Sequence, residues 1–218
     1  MMKWTTEDIP SQAGRCAVVT GANSGLGYNT ARALAMKGAR VIMACRNLEK
    51  GEMARQKILE GKPDLEPELM KLDLSRLSSV HSFAEKYLSL HRGPDLLINN
   101  AGVMATPYLK TSDGFEMQFG INHLGHFALT ALLWPGMRSV QGARIINVGS
   151  TAHHFGKIRF GDIHWEKKYR KWGAYGMSKL ANLLFTYELQ RRFEAAGSGC
   201  IATAAHPGWT VTNLQRYS

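Results

Sequence analysis

The sequence of 218 residues is poor in cysteine, in long apolar runs and in acidic side chains. Its three cysteines, Cys16, Cys45 and Cys200, lie far apart and form no C-x-x-C pair, which argues against a disulfide framework or a zinc site. No apolar run reaches the roughly 18 residues that span a bilayer. The N-terminal segment contains Glu7 and Asp8 and lacks an apolar stretch, so neither a secretory signal nor a mitochondrial presequence is expected. We therefore predict a reducing, cytoplasmic location.

The scarcity of acidic residues leaves the chain strongly basic. Lysine and arginine number 27 against 17 aspartates and glutamates, and the formal net charge of +10 suggests an anionic partner: nucleic acid, a membrane surface or a phosphorylated ligand. Apolar residues make up 44% of the chain and charged residues 20%, a balance typical of a folded protein rather than a disordered one. His153 and His154 lack cysteines or acids at metal-ligand spacing, so no metal site is expected.

Short β-branched runs alternate with segments of helical period along the whole chain. Strands are predicted over residues 17–20, 40–45, 69–72, 96–98, 144–148 and 200–205, and helices over residues 25–37, 48–60, 77–90, 114–137 and 175–196. Strands that are apolar on both faces and separated by helices indicate a parallel sheet covered on both sides. Right-handed connections then give a doubly wound α/β fold of the Rossmann type. No linker, repeat or low-complexity tract divides residues 1–218, which are predicted to form a single domain.

A glycine-rich segment, T-G-A-N-S-G-L-G at residues 20–27, lies between the first predicted strand and the first predicted helix. Gly21 permits a tight turn, Gly25 lets the backbone approach a pyrophosphate, and Gly27 allows close contact between helix and strand. The N-terminus of the helix supplies unpaired N–H donors for phosphates. The pattern predicts a dinucleotide site. A glycine-rich turn without a ligand is the alternative, since short glycine patterns recur by chance.

The end of the second predicted strand indicates which dinucleotide would bind. A free ribose 2′-hydroxyl is met there by an acidic residue, whereas a 2′-phosphate is met by an arginine. This sequence has Arg46 at that point, and the nearest acid, Glu49, falls inside the following helix. Because a guanidinium binds phosphate and a carboxylate repels it, NADP(H) is favoured over NAD(H). The alternative is that Arg46 is an ordinary surface cation.

A tyrosine and a lysine four residues apart, Tyr175 and Lys179, lie on one face of the last predicted helix. The pKa of tyrosine is normally near 10, and a nearby ammonium or an oxidised nicotinamide ring favours the phenolate. The pair is therefore suited to exchange a proton with a substrate oxygen while hydride moves to or from a cofactor. Taken alone, a Tyr–Lys pair at this spacing usually has no function.

In combination, these features resemble the short-chain dehydrogenase/reductase family from about Gly14 to Thr212. The motifs that carry the resemblance occur in the family's order: residues 20–27, Asp73-Leu74, Asn99-Asn100-Ala101-Gly102, Asn122, Ser150, Tyr175 with Lys179, and Pro207-Gly208. Residues 44–46, 121–127 and 178–182 are similar to the branch that contains the retinol dehydrogenases and the WW-domain oxidoreductase. These motifs also occur in oxidoreductases of unknown substrate, so the resemblance leaves the substrate open.

The resemblance implies four catalytic residues. Tyr175 would be the acid/base, and Lys179 would hold the nicotinamide ribose and lower the pKa of Tyr175. Ser150 would bind the substrate oxygen and stabilise its developing charge, with Thr151 as the near alternative. Asn122 would hold a water behind Lys179 as part of a proton relay, or would simply be a buried asparagine bonded to the backbone.

The same resemblance and the glycine turn assign the contacts with the cofactor. The cofactor-binding residues are predicted to be Gly21, Asn23, Ser24, Gly25, Leu26, Gly27, Arg46, Asn47, Asp73, Leu74, Asn100, Ala101, Gly102, Tyr175, Lys179, Pro207, Gly208 and Thr212. Asp73 would bind the adenine amino group, and Thr212 the carboxamide or the phosphates. Relatives continue past Pro207-Gly208 with a substrate lid, another helix and a last strand. We therefore expect the domain to lack this lid and strand and to be incomplete at its C-terminus.

The predicted function is NADP(H)-dependent interconversion of a carbonyl and an alcohol on a fairly apolar substrate, such as a retinoid, a steroid or a lipid aldehyde. Residues predicted near the substrate are Met104, Phe155, Ile158, Phe160, Trp172, Met177 and Trp209, although several would serve equally as core. The cations and aromatics of residues 165–172 are interpreted as a solvated loop beside the pocket, with a nucleic acid or membrane contact as the alternative.

Two further classes of function compete with this enzyme. The first is a non-catalytic NADP(H)-sensing or interaction protein on the same scaffold, which would have no need of the Ser150, Tyr175 and Lys179 set. The second is a basic nucleic-acid binder, which is not expected. Pairing into a homodimer or homotetramer would use the helices that begin near Gly114 and Tyr175. A peripheral contact with a membrane stays open.

Overall fold

Six parallel strands carry the fold within residues 4–208, the part of the chain that the computed structural model describes. The strands are β1 (Cys16–Thr20), β2 (Arg40–Cys45), β3 (Glu68–Lys71), β4 (Leu96–Asn99), β5 (Arg144–Val148) and β6 (Ile201–Ala205). Their order in the sheet is β3-β2-β1-β4-β5-β6, so the winding reverses between β1 and β4. The predicted doubly wound parallel sheet is confirmed.

Helices follow the strands and cover both faces of the sheet. They are α1 (Gly25–Ala35), α2 (Leu48–Leu59), α3 (Leu77–Leu90), the short α4 (Met117–Phe119), α5 (Gly125–Met137) and α6 (Lys171–Ala195). A π-helical turn (Gly120–Leu124) joins α4 to α5, and a 3-10 helix (Thr151–Phe155) follows β5. Among the described residues, no helix is both long enough and apolar enough to cross a bilayer.

Alternate residues of each strand enter two separate apolar cores. Val18 and Ile42 point to the face that α3 and α5 cover, where Phe83 and Leu129 are also buried. The next residue of β1, Val19, points to the opposite core. Because side chains alternate along a strand, a parallel sheet that is covered on both faces needs apolar residues at both phases. The uninterrupted apolar runs of the sequence meet this need.

A chain of buried polar side chains crosses the first of these cores. Asn99 and Asn147 are direct neighbours in the β4–β5 register, and the Nδ2 of Asn99 donates to the Oδ1 of Asn147 over 2.9 Å. The Nδ2 of Asn147 donates in turn to the Oγ1 of Thr186 on α6, also over 2.9 Å. These bonds give a partner to the Nδ2 groups of both asparagines, which would be costly to bury alone, and they tie β4, β5 and α6 together.

Two glycines bring the loop after α3 against α5. A Cβ on Gly93 would lie only 2.0 Å from the carbonyl carbon of Gly136, which is a backbone atom. A Cβ on Gly136 would lie 3.0 Å from the Cα of Gly93. The close approach of the two backbones therefore depends on the absence of side chains at both positions.

The structure corrects the predicted bounds of two helices. The segment predicted as helical from Gly114 begins instead at Met117, because the buried Glu116 accepts hydrogen bonds from the amides of the next turn at 3.0 and 2.7 Å. It continues through Pro135 to Met137. The last helix begins at Lys171, four residues before the predicted start, so Trp172 belongs to the helix rather than to the loop.

Candidate active site

One elongated cavity of about 680 Å³ lies at the carboxyl edge of the sheet, over the point between β1 and β4 where the winding reverses. Such a reversal leaves a crevice, because the loops that follow β1 and β4 turn to opposite faces. The cavity is lined from residues 20–27 at one side to residues 172–179 at the other. Segments that are far apart in the sequence therefore meet around one space.

The glycine turn forms one wall of this cavity. Gly21 has a φ of +67°, and a Cβ there would lie 3.0 Å from the Cα of Ala101. A Cβ on Gly27 would lie 2.4 Å from the carbonyl oxygen of Gly21, so the helix and the turn could not approach as they do. Ser24, the N-cap of α1, forms no capping hydrogen bond with its side chain within the described chain. The first amides of α1 therefore remain as donors beside the cavity, which fits a bound phosphate.

The turn after β4 is fixed to the end of β1. The amides of Asn100 and Ala101 both donate to the Oγ1 of Thr20 over 2.9 Å. The Nδ2 of Asn100 donates to the carbonyl oxygen of Thr20 over 2.8 Å. The cavity is lined by Asn100, Ala101 and Gly102, which the sequence predicts to contact a cofactor. Thr20 itself was missed, although it directly precedes the first glycine of the motif.

The predicted phosphate-selecting end is formed by the residues after β2 and β3. Arg46 is exposed and lines the cavity, and Asp73 and Leu74 line it from the loop after β3. The Oδ1 of Asp73 accepts hydrogen bonds from the amide and the hydroxyl of Ser75. Asn47 is not among the lining residues, because its side chain caps α2 by accepting from the amide of Lys50 over 2.8 Å.

The predicted catalytic side chains meet at the opposite end. Tyr175 and Lys179 lie one turn apart on α6, with the Nζ of Lys179 5.8 Å from the centre of the Tyr175 ring. Ser150 follows β5, and its hydroxyl lies near the phenol of Tyr175, whose pKa it lowers. The Nζ of Lys179 donates to the carbonyl oxygen of Val148, the last residue of β5, over 2.9 Å. Tyr175, Lys179 and Ser150 all line the cavity.

Burial sets the protonation of this group. It raises the pKa of Tyr175, and the hydrogen bond from Ser150 opposes the rise. Burial also lowers the pKa of Lys179 to about 8, because its ammonium is removed from water, with only 4% of the residue exposed. The expected lowering of the Tyr175 pKa by Lys179 does not appear in the protein alone, where burial outweighs other effects. Tyr175 is therefore a neutral phenol that has a proton to donate.

Asn122 lies in the π-helical turn, outside the cavity lining but next to this group. Its Oδ1 accepts from the amide of Val103 over 2.8 Å, and its Nδ2 donates to the Val103 carbonyl and to the Ser178 hydroxyl, each over 2.9 Å. A Cβ on Gly102 would lie 3.1 Å from this Oδ1 and 3.9 Å from the Nζ of Lys179. Each polar atom of the Asn122 side chain thus has a partner within the protein.

The residues predicted near the substrate divide into two groups. Met104, Phe155 and Trp172 line the cavity. Met177 belongs to a separate apolar cluster around Trp165, and Ile158 packs against that cluster. Phe160 is 88% exposed and does not line the cavity.

Pro207 and Gly208 line the cavity, whereas Thr212 and Trp209 lie outside the described residues. Sequence reasoning missed further lining residues, which are mostly apolar: Ala44, Leu72, Val103, Ile121, Val148, Ala152 and His206.

The chain is similar to known proteins over nearly its whole length. Residues 15–218 match the family model for short chain dehydrogenases. Retinol dehydrogenase 12 of Mus musculus is 49% identical over 214 residues, which cover 98% of this chain and 66% of that protein. The human retinol dehydrogenase 12 is also 49% identical, with 64% of its length covered. The chain thus spans 64–66% of the length of these curated relatives.

Two solved structures have a fold similar to that of this chain. A protein from Mycobacterium paratuberculosis shares 52% identity and a TM-score of 0.87, over 99% of this chain and 76% of that one. The Pseudomonas aeruginosa RhlG/NADP active-site complex shares 26% identity and a TM-score of 0.76, over 95% of this chain and 77% of that one.

Proposed function

The chain belongs to the short-chain dehydrogenase family, and on that premise we propose that it is an NADP(H)-dependent oxidoreductase that interconverts a carbonyl and an alcohol. The observation that carries the proposal is the meeting of Ser150, Tyr175 and Lys179 at one end of the cavity whose other wall is the glycine turn at residues 20–27. A proton donor, a partner for an oxygen and a site for phosphates are thus held around one space.

The residues present fit the dinucleotide. The open amides at the start of α1 and the side-chain-free surface of Gly21 would receive the pyrophosphate. Arg46 would bind a ribose 2′-phosphate, and Asp73 the adenine. Lys179 would bind the nicotinamide ribose with ammonium hydrogens that Val148 does not use. The structurally similar RhlG of Pseudomonas aeruginosa forms an active-site complex with NADP, which supports the same choice here.

The chain's own residues supply binding and proton transfer. Bound NADPH would supply the hydride that the carbonyl carbon needs in the reductive direction. The Ser150 hydroxyl would bind the carbonyl oxygen and stabilise the negative charge that develops there. Tyr175, neutral in the protein, would give its phenolic proton to that oxygen, so that one hydride and one proton complete the alcohol. Lys179 would then stabilise the phenolate until it is reprotonated.

Asn122 would complete the path that reprotonates Tyr175. Its side-chain bonds are used by Val103 and Ser178, so a water would have to bind its backbone carbonyl, which has two lone pairs, one of them facing the ring of His126. The bonded side chain would then act by fixing the carbonyl in place beside Lys179.

The substrate is proposed to be fairly apolar. Met104, Phe155 and Trp172 give the catalytic end of the cavity an apolar wall, and Phe155 and Trp172 are partly exposed at its mouth. The curated relatives are named retinol dehydrogenases, which is compatible with retinoid-like or other lipid-like substrates. The cytoplasmic location, the oligomeric state and a peripheral membrane contact stay predictions.

The replacement Tyr175→Phe tests the proposal. The phenylalanine keeps the ring and removes the proton, so turnover should fall by about 1,000-fold or more, while the Kd for NADPH stays within about twofold. Turnover is measured as NADPH oxidation with a panel of aldehydes and ketones, and binding by NADPH fluorescence.

The matched control is Tyr187→Phe, which removes a phenol from the exposed face of the same helix, where 68% of the residue is accessible. It should retain full activity. Unimpaired turnover in Tyr175→Phe would refute the mechanism. Tight NADPH binding by the unaltered chain without turnover of any carbonyl would instead support the non-catalytic NADP(H)-sensing protein.

A further inference from the structure

A fully buried histidine links the two ends of the cavity without lining it. His126 lies in the first turn of α5 and is 2% exposed. Its Nε2 lies 2.9 Å from the Oγ1 of Thr20 at the end of β1, and its Nδ1 lies 3.0 Å from the carbonyl oxygen of Asn122 in the π-helical turn. One imidazole ring therefore bridges the strand that starts the cofactor wall and the turn beside Lys179.

The partners of the ring decide which nitrogen carries the proton. A carbonyl oxygen only accepts hydrogen bonds, so the Nδ1 of His126 must donate to Asn122. Burial lowers the pKa of His126 to about 4, so the ring is neutral at physiological pH and has a single proton to donate. The Nε2 is then an acceptor, and the hydroxyl of Thr20 must donate to it.

This assignment fixes the direction of every bond at the Thr20 hydroxyl. The oxygen has one proton and two lone pairs, but four partners surround it. They are the ring of His126 at 2.9 Å, the amides of Asn100 and Ala101 at 2.9 Å each, and the carbonyl of Ile98 at 3.3 Å. When the proton points to the nearer His126, both lone pairs face the two amides. Without that acceptor the proton turns to Ile98, and one lone pair leaves its amide.

We propose that His126 is a positioning residue for the cofactor site: it orients the Thr20 hydroxyl so that the Asn100–Ala101 turn is held against the cavity. The role in cofactor binding rests on the proposed function, whereas the hold on the turn is a property of the protein alone. The same ring fixes the carbonyl of Asn122, so the adenosine side and the catalytic side of the cavity are joined through one side chain.

Amide hydrogen exchange of the protein without cofactor tests the hold on the turn. In His126→Leu the amides of residues 100 and 101 should exchange roughly 3- to 10-fold faster, as expected for the loss of one hydrogen bond. His126→Gln, whose amide can both donate and accept, should recover part of the protection. The matched control is His123→Leu. His123 is a partly buried histidine three residues earlier, which bonds Asn182 and leaves the turn untouched.

Binding of NADPH, followed by fluorescence, tests the consequence for the cofactor. The Kd should rise roughly 3- to 10-fold in His126→Leu and stay unchanged in His123→Leu, with kcat altered less than the Kd. Thr20→Val removes the hydroxyl through which His126 acts, so adding His126→Leu to it should give little further loss. If His126→Leu folds poorly, Thr20→Val alone keeps the test valid, because it removes the same hydroxyl from the two amides and should show the same faster exchange and weaker binding.

The outcomes separate the two proposals. Unchanged exchange and an unchanged Kd in His126→Leu would overturn the positioning role, as would full additivity with Thr20→Val. Failure of the unaltered chain to bind NADPH would refute the proposed function, while the exchange of residues 100 and 101 would still report on the hold of His126.

Discussion

At the scale of single residues, the end of the cavity that contains Tyr175 and Lys179 places two ionisable groups where burial disfavours their charged forms. The pKa of Tyr175 is raised and that of Lys179 is lowered to about 8. Both shifts favour the uncharged form of the side chain, so the phenol of Tyr175 keeps its proton. The free-energy cost of burying a charge falls on Lys179, whose ammonium donates to one carbonyl of β5.

Lys179 should therefore make stability depend on pH. The unfolded chain keeps the lysine proton up to about pH 10.5, whereas the folded protein loses it near pH 8, so raising the pH through this window favours the folded state. Relative to Lys179→Met, the unaltered protein should gain about 3 kcal/mol in its free energy of unfolding between pH 7 and 10.5. Urea unfolding at three pH values measures the gain. Lys86→Met, at an exposed site on α3, should show no such difference, and a pH-independent difference for Lys179→Met would contradict the prediction.

Arg46 should decide between the two nicotinamide cofactors. Arg46→Asp places a carboxylate where a 2′-phosphate would bind and where a free 2′-hydroxyl would find an acceptor. The ratio of kcat/KM for NADPH to that for NADH should fall at least about tenfold. Lys57→Asp makes the same charge change on the exposed face of α2 and should leave the ratio unaltered. An unchanged ratio in Arg46→Asp would exclude Arg46 from the phosphate site.

At the scale of helices and strands, the sequence predicts what depends on local periodicity. The bounds of all six strands are predicted within two residues, because each is a short apolar run between polar segments. The start of α4 depends on Glu116, whose carboxylate also accepts from the hydroxyl of Tyr169, 53 positions away in the chain. The early start of α6 at Lys171 is likewise accompanied by a bond from Gln118. Such bonds between distant residues leave no local pattern to read.

Close contact of the α3 loop with α5 should be sensitive to a single methyl group. Gly93→Ala would drive its Cβ into the backbone of Gly136, which cannot turn aside as a side chain can. The free energy of unfolding should fall by roughly 1–3 kcal/mol or more, measured by urea denaturation. Gly161→Ala is the control, because a Cβ at that position meets nothing within 4 Å. Equal stabilities of the two variants would contradict the assigned contact.

At the scale of the whole molecule, the cavity is assembled by topology. Its lining residues come from segments between Thr20 and Gly208, and only the parallel order of the strands brings them to one edge. The motif residues are predictable because their types suit phosphate or proton chemistry. Apolar lining residues such as Val103 and Ala152 are not, since their types are equally common in the core. Asn47 carries a polar side chain near the site but uses it for capping.

NADPH should stabilise the whole domain, because it would bind only the folded chain. At a concentration 100 times its Kd, the gain is about 2.7 kcal/mol, which for a domain of this size raises the Tm by roughly 5–10 °C. Thermal unfolding with matched concentrations of NADPH and NADH measures it. The shift in Tm should be smaller with NADH, because NADH lacks the 2′-phosphate that Arg46 would bind. Equal shifts would contradict this role of Arg46.

The paired amides of Asn99 and Asn147 have a consequence for the geometry of the candidate active site. Their bond forms only when β4 and β5 are in the observed alignment. A slip of one residue would turn one amide to the other face of the sheet and break the hydrogen bond between the two buried side chains. The same slip would displace Ser150 by about 3.3 Å along the strand direction, relative to the phenol of Tyr175. The buried pair thus couples the alignment of the strands to stability. A chain that misaligns β4 and β5 loses the position of Ser150 beside Tyr175, and it is also less stable.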